Sequence, residues 1–225
     1  MNSRREIHSF VRRSGRVTAA QQRALAELWP RFGIDYSSRR LDLDEVFGRS
    51  APRVLEIGFG NGETFVAQAA ADPGCDYLGV EVHEPGIGHA LLLAGRAGLS
   101  NLRVIAEDAV AVLSEQIADA ALRRINIYFP DPWPKKRHHK RRLLQPEFLE
   151  LLAPKLERGG ALHLATDWAG YAAHIDELVA GQSAFRTGER REHSGEAALD
   201  RPATKFEKRG LDRGHRIWDW RLVRI

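Results

Sequence analysis

The stretch RVLEIGFGNGETF, from Arg53 to Phe65, carries the clearest indication of the fold. It opens with a short apolar run that is typical of a buried strand. Three glycines then follow at every second position, Gly58, Gly60 and Gly62. Glycine permits tight turns and lets a ligand approach the backbone closely. The stretch therefore predicts a strand, a ligand-binding turn and a helix in succession.

Downstream of this turn, strand-like and helix-like patterns alternate along the chain. Apolar runs predict strands at 53–60, 76–82, 101–108, 124–131, 160–167 and 215–225. Helical periodicity predicts helices at 63–71, 85–98, 109–121, 146–156 and 168–180. This alternation favours an α/β fold with a parallel sheet and helices on both faces. The polar region 183–210, rich in Gly and Arg, is interpreted as a long loop.

A basic arm and a helix are predicted ahead of this core. Arginines crowd the start of the chain, at Arg4, Arg5, Arg12, Arg13 and Arg16. Helical periodicity runs from Thr18, its N-cap, to Trp29, and Pro30 and Gly33 indicate the end. We therefore expect an N-terminal arm and helix over residues 1–40 and a main domain over residues 41–225.

The distribution of charge is more informative than its total. The 225 residues carry 34 Lys and Arg against 30 Asp and Glu, a net charge of only +4. Yet the eight residues from Lys135 to Arg142 comprise six Lys or Arg and two His. Such a cluster favours a polyanionic partner such as nucleic acid, with an ordinary solvated surface as the alternative.

Cellular context is indicated by what the sequence lacks. Cys75 is the single cysteine, so no internal disulfide can form, which fits a reducing compartment. No apolar run approaches the ~20 residues that span a membrane, and the charged N-terminus lacks the apolar core of a signal peptide. We expect a soluble cytoplasmic protein, either a monomer or a homodimer.

Carboxylates stand near the ends of five predicted strands, at Glu56, Glu81, Asp108, Asp131 and Asp167. In a parallel sheet, ligands bind outside the carboxyl ends of the strands. Asp108 and Asp167 each precede a helix, so helix capping is an alternative for either one alone. Acids at successive strand ends along one edge nevertheless predict a binding site there.

The glycine turn and its acids favour a cationic ligand over a dinucleotide. The NAD fingerprint requires a glycine where the chain has Glu63, and no basic residue stands in the turn to hold a pyrophosphate. Glu56 lies just before the turn, where it would repel phosphates but suit a cation. Glu81, 23 residues beyond Gly58, fits an acid that accepts hydrogen bonds from ribose hydroxyls.

With these residues the chain resembles the class I S-adenosylmethionine-dependent methyltransferases. Four segments, VLEIGFGNGE, FPDPWPKKRHHKRR, LATDWAGYA and PATKFEKRG, resemble the bacterial tRNA (guanine-N7-)-methyltransferase family, from about Arg13 to the C-terminus. The resemblance implies a Rossmann-like fold with a mostly parallel seven-stranded sheet, helices on both faces and an antiparallel C-terminal strand. It also implies methyl transfer from S-adenosyl-L-methionine to N7 of a guanine in tRNA, at position 46 in the variable loop.

The resemblance further implies the role of each site residue. Cofactor contacts fall at Glu56, Gly58, Gly60, Glu81, Asp108 and Asp131, and Asp131 is also the implied catalytic residue. Substrate contacts fall at Lys135, Asp167, Thr204, Lys205, Phe206 and Glu207. RNA contacts fall at Arg137, His138, His139, Lys140, Arg141 and Arg142. No metal site is expected, because adjacent histidines have poor spacing for ligands of one ion.

The chemistry of such a transfer requires alignment and charge management more than proton removal. N7 of neutral guanine already carries a lone pair, and positive charge develops on the purine ring as the methyl group arrives. Asp131 or Asp167, with Glu207 as a third acceptor, could stabilise that charge and accept hydrogen bonds from guanine N1–H and the 2-amino group. Pro130 and Pro132 would stiffen the backbone around Asp131.

Three other functions stay open, each with an observation against it. A class I methyltransferase for a small molecule or a protein amine has no use for six Lys or Arg beside its pocket. A non-enzymatic RNA-binding protein on the same scaffold would be hindered by a row of acids, which repel RNA. An NAD(P) oxidoreductase is disfavoured by the glycine turn.

Overall fold

The computed structural model describes residues 15–195, 199 and 201–225. Most of the predicted basic arm, including Arg4, Arg5, Arg12 and Arg13, lies outside the described residues. The described strands are β1 (Gly33–Ile34), β2 (Arg53–Ile57), β3 (Asp76–Val80), β4 (Leu102–Ile105), β5 (Leu122–Tyr128), β6 (Leu156–Thr166), β7 (Phe185–His193) and β8 (Ile217–Arg224). The described helices are α1 (Ala19–Phe32), α2 (Leu43–Phe47), α3 (Glu63–Ala71), α4 (Glu84–Arg96), α5 (Ala109–Ala111), α6 (Pro146–Lys155), α7 (Ala169–Ala180) and α8 (Lys205–Asp212). A π-helical turn (Val112–Gln116) continues α5, and a 3-10 segment (Lys136–Arg141) precedes α6.

The described strands form one sheet in the order β1-β4-β3-β2-β5-β6-β8-β7. Strands β1 to β6 pair in parallel, β8 runs antiparallel to β6, and β7 runs antiparallel to β8. The predicted mostly parallel α/β sheet with an antiparallel C-terminal strand is confirmed. The described part of the chain has eight strands, where the apolar pattern predicted six and the resemblance implied seven. The two that the apolar pattern does not indicate are the edge strands β1 and β7.

The interpretation of residues 183–210 as a loop is wrong, since this region contains β7 and α8. Most of β7 is exposed and Phe185 is its one fully buried residue, so the strand lacks an apolar signature. It is held by backbone pairing with β8, from Phe185 opposite Arg224 to His193 opposite Ile217. Charged side chains on such an edge strand also discourage pairing with other chains.

Helices cover both faces of the sheet, as predicted. One buried apolar cluster joins the sheet to α1, α3 and α4 and includes Phe32, Phe65, Ile87 and Leu91. The cluster on the other face joins the sheet to the π-helical turn, α6 and α7 and includes Leu113, Leu152 and Ile175. None of the described helices is both long and apolar enough to cross a membrane.

The N-terminal helix α1 packs on the main domain. Thr18 accepts a hydrogen bond from the backbone N–H of Gln21 at 3.3 Å, which confirms the predicted N-cap. The helix continues past Pro30 to Phe32, which is fully buried. Gln21 also donates to the carbonyl of Pro85 in the first turn of α4 at 2.9 Å. The division of domains at residue 40 stays a prediction.

Two glycines with positive φ provide a test of how tightly the glycine turn is packed. Gly62 has φ of 76°, and a Cβ atom there would lie 2.4 Å from the Cβ of Ala90 in α4. Gly98 has φ of 64°, but nothing lies within 4 Å of an added Cβ. We expect Gly62→Ala to lower the free energy of unfolding by about 2–5 kcal/mol, because strain and overlap add. Gly98→Ala should lower it by only about 1 kcal/mol. Urea titration of both variants measures the two losses. Equal losses would contradict this packing.

Candidate active site

The carboxyl ends of β2, β3, β4 and β5 open into a cleft of about 510 Å³. The chain passes from β2 outward to β3 and β4 and then crosses to β5 on the other side of β2. The cleft therefore lies at the point where the strand order reverses, the usual ligand site of such sheets. Its walls are the glycine turn after β2, the segments after β3, β4 and β5, and the N-terminus of α8.

The glycine turn presents open backbone to the cleft. Gly58 and Gly60 have φ of 72° and 59°, in the left-handed region that only glycine adopts without strain. An added Cβ at Gly58 would meet nothing within 4 Å. At Gly60 it would meet the ring of Phe206, at 3.8 Å. A ligand can therefore lie directly against the backbone of this turn.

Glu56 lines the cleft from a buried position, with only 3% of its surface exposed. Its carboxylate accepts hydrogen bonds from Gln68 Nε2 at 3.0 Å and Asn126 Nδ2 at 3.4 Å. Burial raises the pKa of Glu56 to about 7, although the two amide donors oppose this effect. A positively charged ligand in the cleft would stabilise the ionised carboxylate, so Glu56 favours a cation.

Two further acids, Glu81 and Asp108, line the cleft and also hold backbone segments in place through hydrogen bonds. Glu81 accepts hydrogen bonds from the backbone N–H groups of Gly60, Val82 and His83 at 2.8, 2.7 and 3.0 Å. It thereby ties the glycine turn to the end of β3. Asp108 accepts through Oδ1 from two backbone N–H groups in α5 at 2.9 and 3.3 Å. The capping alternative is correct for Asp108, and the residue also lines the cleft.

The loop after β5 exposes Asp131 to the cleft. Phe129 and Trp133, on either side of it, have φ of 51° and 43°, which strains residues that carry a Cβ atom. Arg142 is 3% exposed and donates through Nε to the carbonyl of Pro132 at 3.0 Å. Arg142 thus supports the loop from a buried position, and the RNA contact predicted for it stays a prediction.

The residues before Arg142 form an exposed surface, the basic patch (Lys135–Arg141). Arg137, Lys140 and Arg141 are exposed in it, and His138 and His139 are half-buried. The ring of Trp133 meets the ring of His138 edge-on at 5.8 Å and lies 5.1 Å from the guanidinium of Arg141. These contacts pack the patch directly against the loop that carries Asp131.

The N-terminus of α8 forms another wall of the cleft through Thr204, Lys205 and Phe206. Thr204 caps the helix by accepting from the backbone N–H of Glu207 at 3.0 Å, and the Glu207 carboxylate accepts from the backbone N–H of Thr204 at 3.3 Å. The side chain of Glu207 is only 2% exposed. Glu207 thus supports the start of α8 from a buried position, and the substrate contact predicted for it stays a prediction.

Arg201 is the residue that supports both walls, and the sequence interpretation missed it. Its side chain is fully buried, forms ion pairs with Glu207 and with Asp219 of β8, and lies 5.0 and 5.5 Å from the rings of Tyr128 and Phe129. Burial raises the pKa of Asp219, but hydrogen bonding with His163 and the charge of Arg201 bring it below its ordinary value. The one signal in the sequence is the position of Arg201, three residues before Thr204.

Besides Glu207, two other predicted substrate residues lie outside the lining of the cleft. Lys135 is exposed at the start of the basic patch. Asp167 follows β6, with Oδ2 3.1 Å from Nδ1 of His215, a residue that no sequence pattern singled out. The capping alternative for Asp167 is wrong, because Trp168 is the N-cap of α7.

The cleft thus suits a ligand with positive charge and hydrogen-bond donors. Its acids are Glu56, Glu63, Glu81, Glu107, Asp108 and Asp131. Its lining cations, Lys205 and Arg209, belong to α8 and not to the glycine turn. In the described part of the chain, no group of three or more His, Cys, Asp or Glu residues is arranged to hold a metal ion.

Comparison with known proteins places these features in a family. A family model described as "Putative methyltransferase" matches residues 50–220. The tRNA (guanine-N(7)-)-methyltransferase of Halorhodospira halophila is 54% identical over 225 residues, which cover 97% of this chain and 95% of the relative. The protein of the same name from Alkalilimnicola ehrlichii is 54% identical over 219 residues, covering 96% and 92%. A 16S rRNA (adenine(1408)-N(1))-methyltransferase from Catenulisporales acidiphilia, solved with cosubstrate SAM, has a TM-score of 0.56 at 16% identity, over 82% of this chain and 92% of that chain, and shows the fold alone.

The raised pKa of Glu56 makes the stability of the protein depend on pH. The protonated carboxyl group stabilises the fold fully below about pH 4.5 and loses this contribution as the pH rises through about 7. Glu56→Gln lacks this titration but can keep hydrogen bonds to both amide neighbours. The unfolding free energy of the wild type minus that of the variant should therefore fall by up to about 3 kcal/mol between pH 4.5 and 7. A difference that is constant over this range would show that Glu56 is not perturbed.

The buried ion pairs of Arg201 predict an unusually large loss of stability. Arg201→Gln leaves the carboxylates of Glu207 and Asp219 buried without their cation, so we expect a loss of about 3–5 kcal/mol in the free energy of unfolding. The matched control is Arg216→Gln, which breaks an ion pair with Glu192 on the surface and should cost far less, because solvent screens an exposed pair. Similar losses in a chemical denaturation experiment would contradict a special role for Arg201.

Proposed function

The chain belongs to the family of tRNA (guanine-N(7)-)-methyltransferases, and we propose that it methylates N7 of a guanine in tRNA with S-adenosyl-L-methionine as donor. The observation that carries this proposal is 54% identity, over nearly the whole chain, to relatives of that name. The cleft supports it, because a row of acids suits a cationic donor and the adjacent basic patch suits the phosphates of RNA.

S-adenosyl-L-methionine, when bound, supplies a methyl group carried on a positively charged sulfur. Gly58 and Gly60 leave the backbone open to close approach, and Glu56 offers a buried carboxylate to a positive charge. Glu81 accepts three backbone hydrogen bonds, which leaves acceptor capacity for a ribose hydroxyl because a carboxylate has about four lone-pair sites. Asp108 uses Oδ1 for its helix cap, so Oδ2 is the atom we assign to the amino group of adenine.

Asp131 is the residue that we assign to the reacting guanine. No general base is required, because N7 already carries its lone pair. The carboxylate of Asp131 stabilises the positive charge that develops on the purine ring, and it does so without rearrangement because the strained, proline-flanked loop holds it in place. Lys135 lies in the segment after β5, and Asp167 follows the adjacent strand β6. We assign both residues to the outer part of the substrate. Thr204, Lys205 and Phe206 contact the substrate from the wall formed by α8.

The basic patch positions the RNA by its backbone. Arg137, Lys140 and Arg141 are exposed and bind phosphates with little dependence on sequence, and His138 and His139 extend this surface. The target guanine at position 46 in the variable loop is a proposal that comes from the family resemblance. We place the reaction in the cytoplasm, as expected from the single cysteine.

The proposed function is tested by incubating the protein with S-adenosyl-L-methionine and unmodified tRNA, digesting the RNA and separating its nucleosides by mass. We expect 7-methylguanosine to accumulate. S-adenosylhomocysteine should bind in a calorimetric titration, and NAD should not. A tRNA that other enzymes of this activity accept but that gains no 7-methylguanosine here would contradict the proposal.

The role of Asp131 predicts a loss in rate without a loss of fold. Asp131→Asn keeps the size of the side chain but removes its charge, so kcat should fall by a factor on the order of 10²–10³. Glu157→Gln, which removes an exposed acid at the other end of β6, should leave kcat unchanged. Full activity of Asp131→Asn in a steady-state tRNA methylation assay would rule out the electrostatic role.

A further inference from the structure

Helix α8 carries a second group of exposed cations, of which the proposed function uses only Lys205. Lys205, Lys208 and Arg209 are exposed on the helix, and Arg213 is exposed at its C-terminal end. Within the described residues, none of these four side chains forms a hydrogen bond or an ion pair. Asp212 is the one exposed acid among them, so this surface has an excess of positive charge.

The cations are aligned by the geometry of the helix. Lys205 and Arg209 are four residues apart and both line the cleft. Arg213 follows after four more residues, and Lys208 lies beside this row. With a rise of 1.5 Å per residue, the row places a cation about every 6 Å and runs about 12 Å outward from the cleft. We call these four residues the α8 row.

Packing of the inner face of α8 fixes the direction in which the row points. Glu207 is held by Arg201 in the interior. A Cβ atom at Gly210 would lie 3.0 Å from Oδ2 of Asp167, so the helix also rests closely on the end of β6. With its inner face held at two successive turns, the helix presents the row in one orientation and little rotational freedom is lost on binding.

Cations on the neighbouring strand β7 contrast with this row. Arg190 pairs with Asp176 at 2.8 Å, and Glu192 pairs with Arg216. An exposed cation that is already paired gains little from a phosphate, whereas an unpaired one releases the counterions of the nucleic acid on binding. These two paired cations are therefore weaker candidates for phosphate binding than the unpaired cations of α8.

We propose that the α8 row is a second phosphate-binding surface for the RNA substrate. Two different walls of the cleft carry these surfaces. The basic patch (Lys135–Arg141) adjoins the wall that carries Asp131, and the α8 row begins at Lys205 on another wall. RNA backbone held at both walls would place the reactive guanine between them. This inference rests on the proposed function, because it takes the same RNA as its ligand.

The test is the salt dependence of tRNA binding by the full chain. The test variant, Lys208→Gln/Arg213→Gln, removes two cations of the row that do not line the cleft. The control variant, Arg123→Gln/Arg158→Gln, removes two exposed cations at the amino ends of β5 and β6, away from the cleft. Dissociation constants are measured by fluorescence anisotropy over a series of salt concentrations. We expect the first variant to bind tRNA about tenfold more weakly at moderate salt and to lower the slope of log K against log salt by about 1.5. The second variant should match the wild type.

An unchanged slope in the first variant, or an equal reduction in both variants, would overturn the proposal. If the first variant does not fold, as judged by circular dichroism, Lys208→Gln alone should still lower the slope by about 0.8, and an unchanged slope there would overturn it equally. Failure of the proposed function is a different result. In that case the wild type forms no 7-methylguanosine, whatever the slope.

Discussion

The two walls of the cleft are joined by one buried guanidinium group, that of Arg201. Its charge is compensated by Glu207 at the start of α8 and by Asp219 in β8, and its flat face lies near the rings of Tyr128 and Phe129. A buried cation is tolerated only when such partners satisfy it, so these elements must assemble together. The position of the Asp131 loop and that of α8 are consequently linked, although 70 residues or more separate them along the chain.

The site separates opposite charges over a short distance. Acids follow β2, β3, β4 and β5 inside the cleft, while Lys and Arg occupy the basic patch and the outer face of α8. In the proposed function, the outer cations attract RNA through long-range forces, and the inner acids favour a cationic donor and a base on which positive charge develops. Trp133 and Arg142 join the two regions, since one packs against the patch and the other supports the loop.

The sequence predicted the parts of the fold that depend on local signals. The apolar strand before Gly58, the acids at successive strand ends and the cap at Thr18 are each encoded within a few residues. In contrast, β7 depends on pairing with β8, which has no local pattern. Helix α8 does have a local signal, the capping-box spacing of Thr204 and Glu207, which the interpretation of residues 183–210 as a loop overlooked. Residue type likewise does not reveal whether a side chain faces solvent or the interior. Arg141 and Arg142 are neighbours with the same charge, yet Arg141 is exposed and Arg142 supports the loop from a buried position.

The central claim is that these charges position one guanine of tRNA for methylation at N7. The most direct measurement is a nucleotide-resolution map of methylation after reaction with S-adenosyl-L-methionine, based on the chemical cleavage of RNA at 7-methylguanosine. We predict cleavage at a single guanine in the variable loop, and its loss with Asp131→Asn. Methylation at another atom, at many scattered guanines, or equally in wild type and variant would contradict the account.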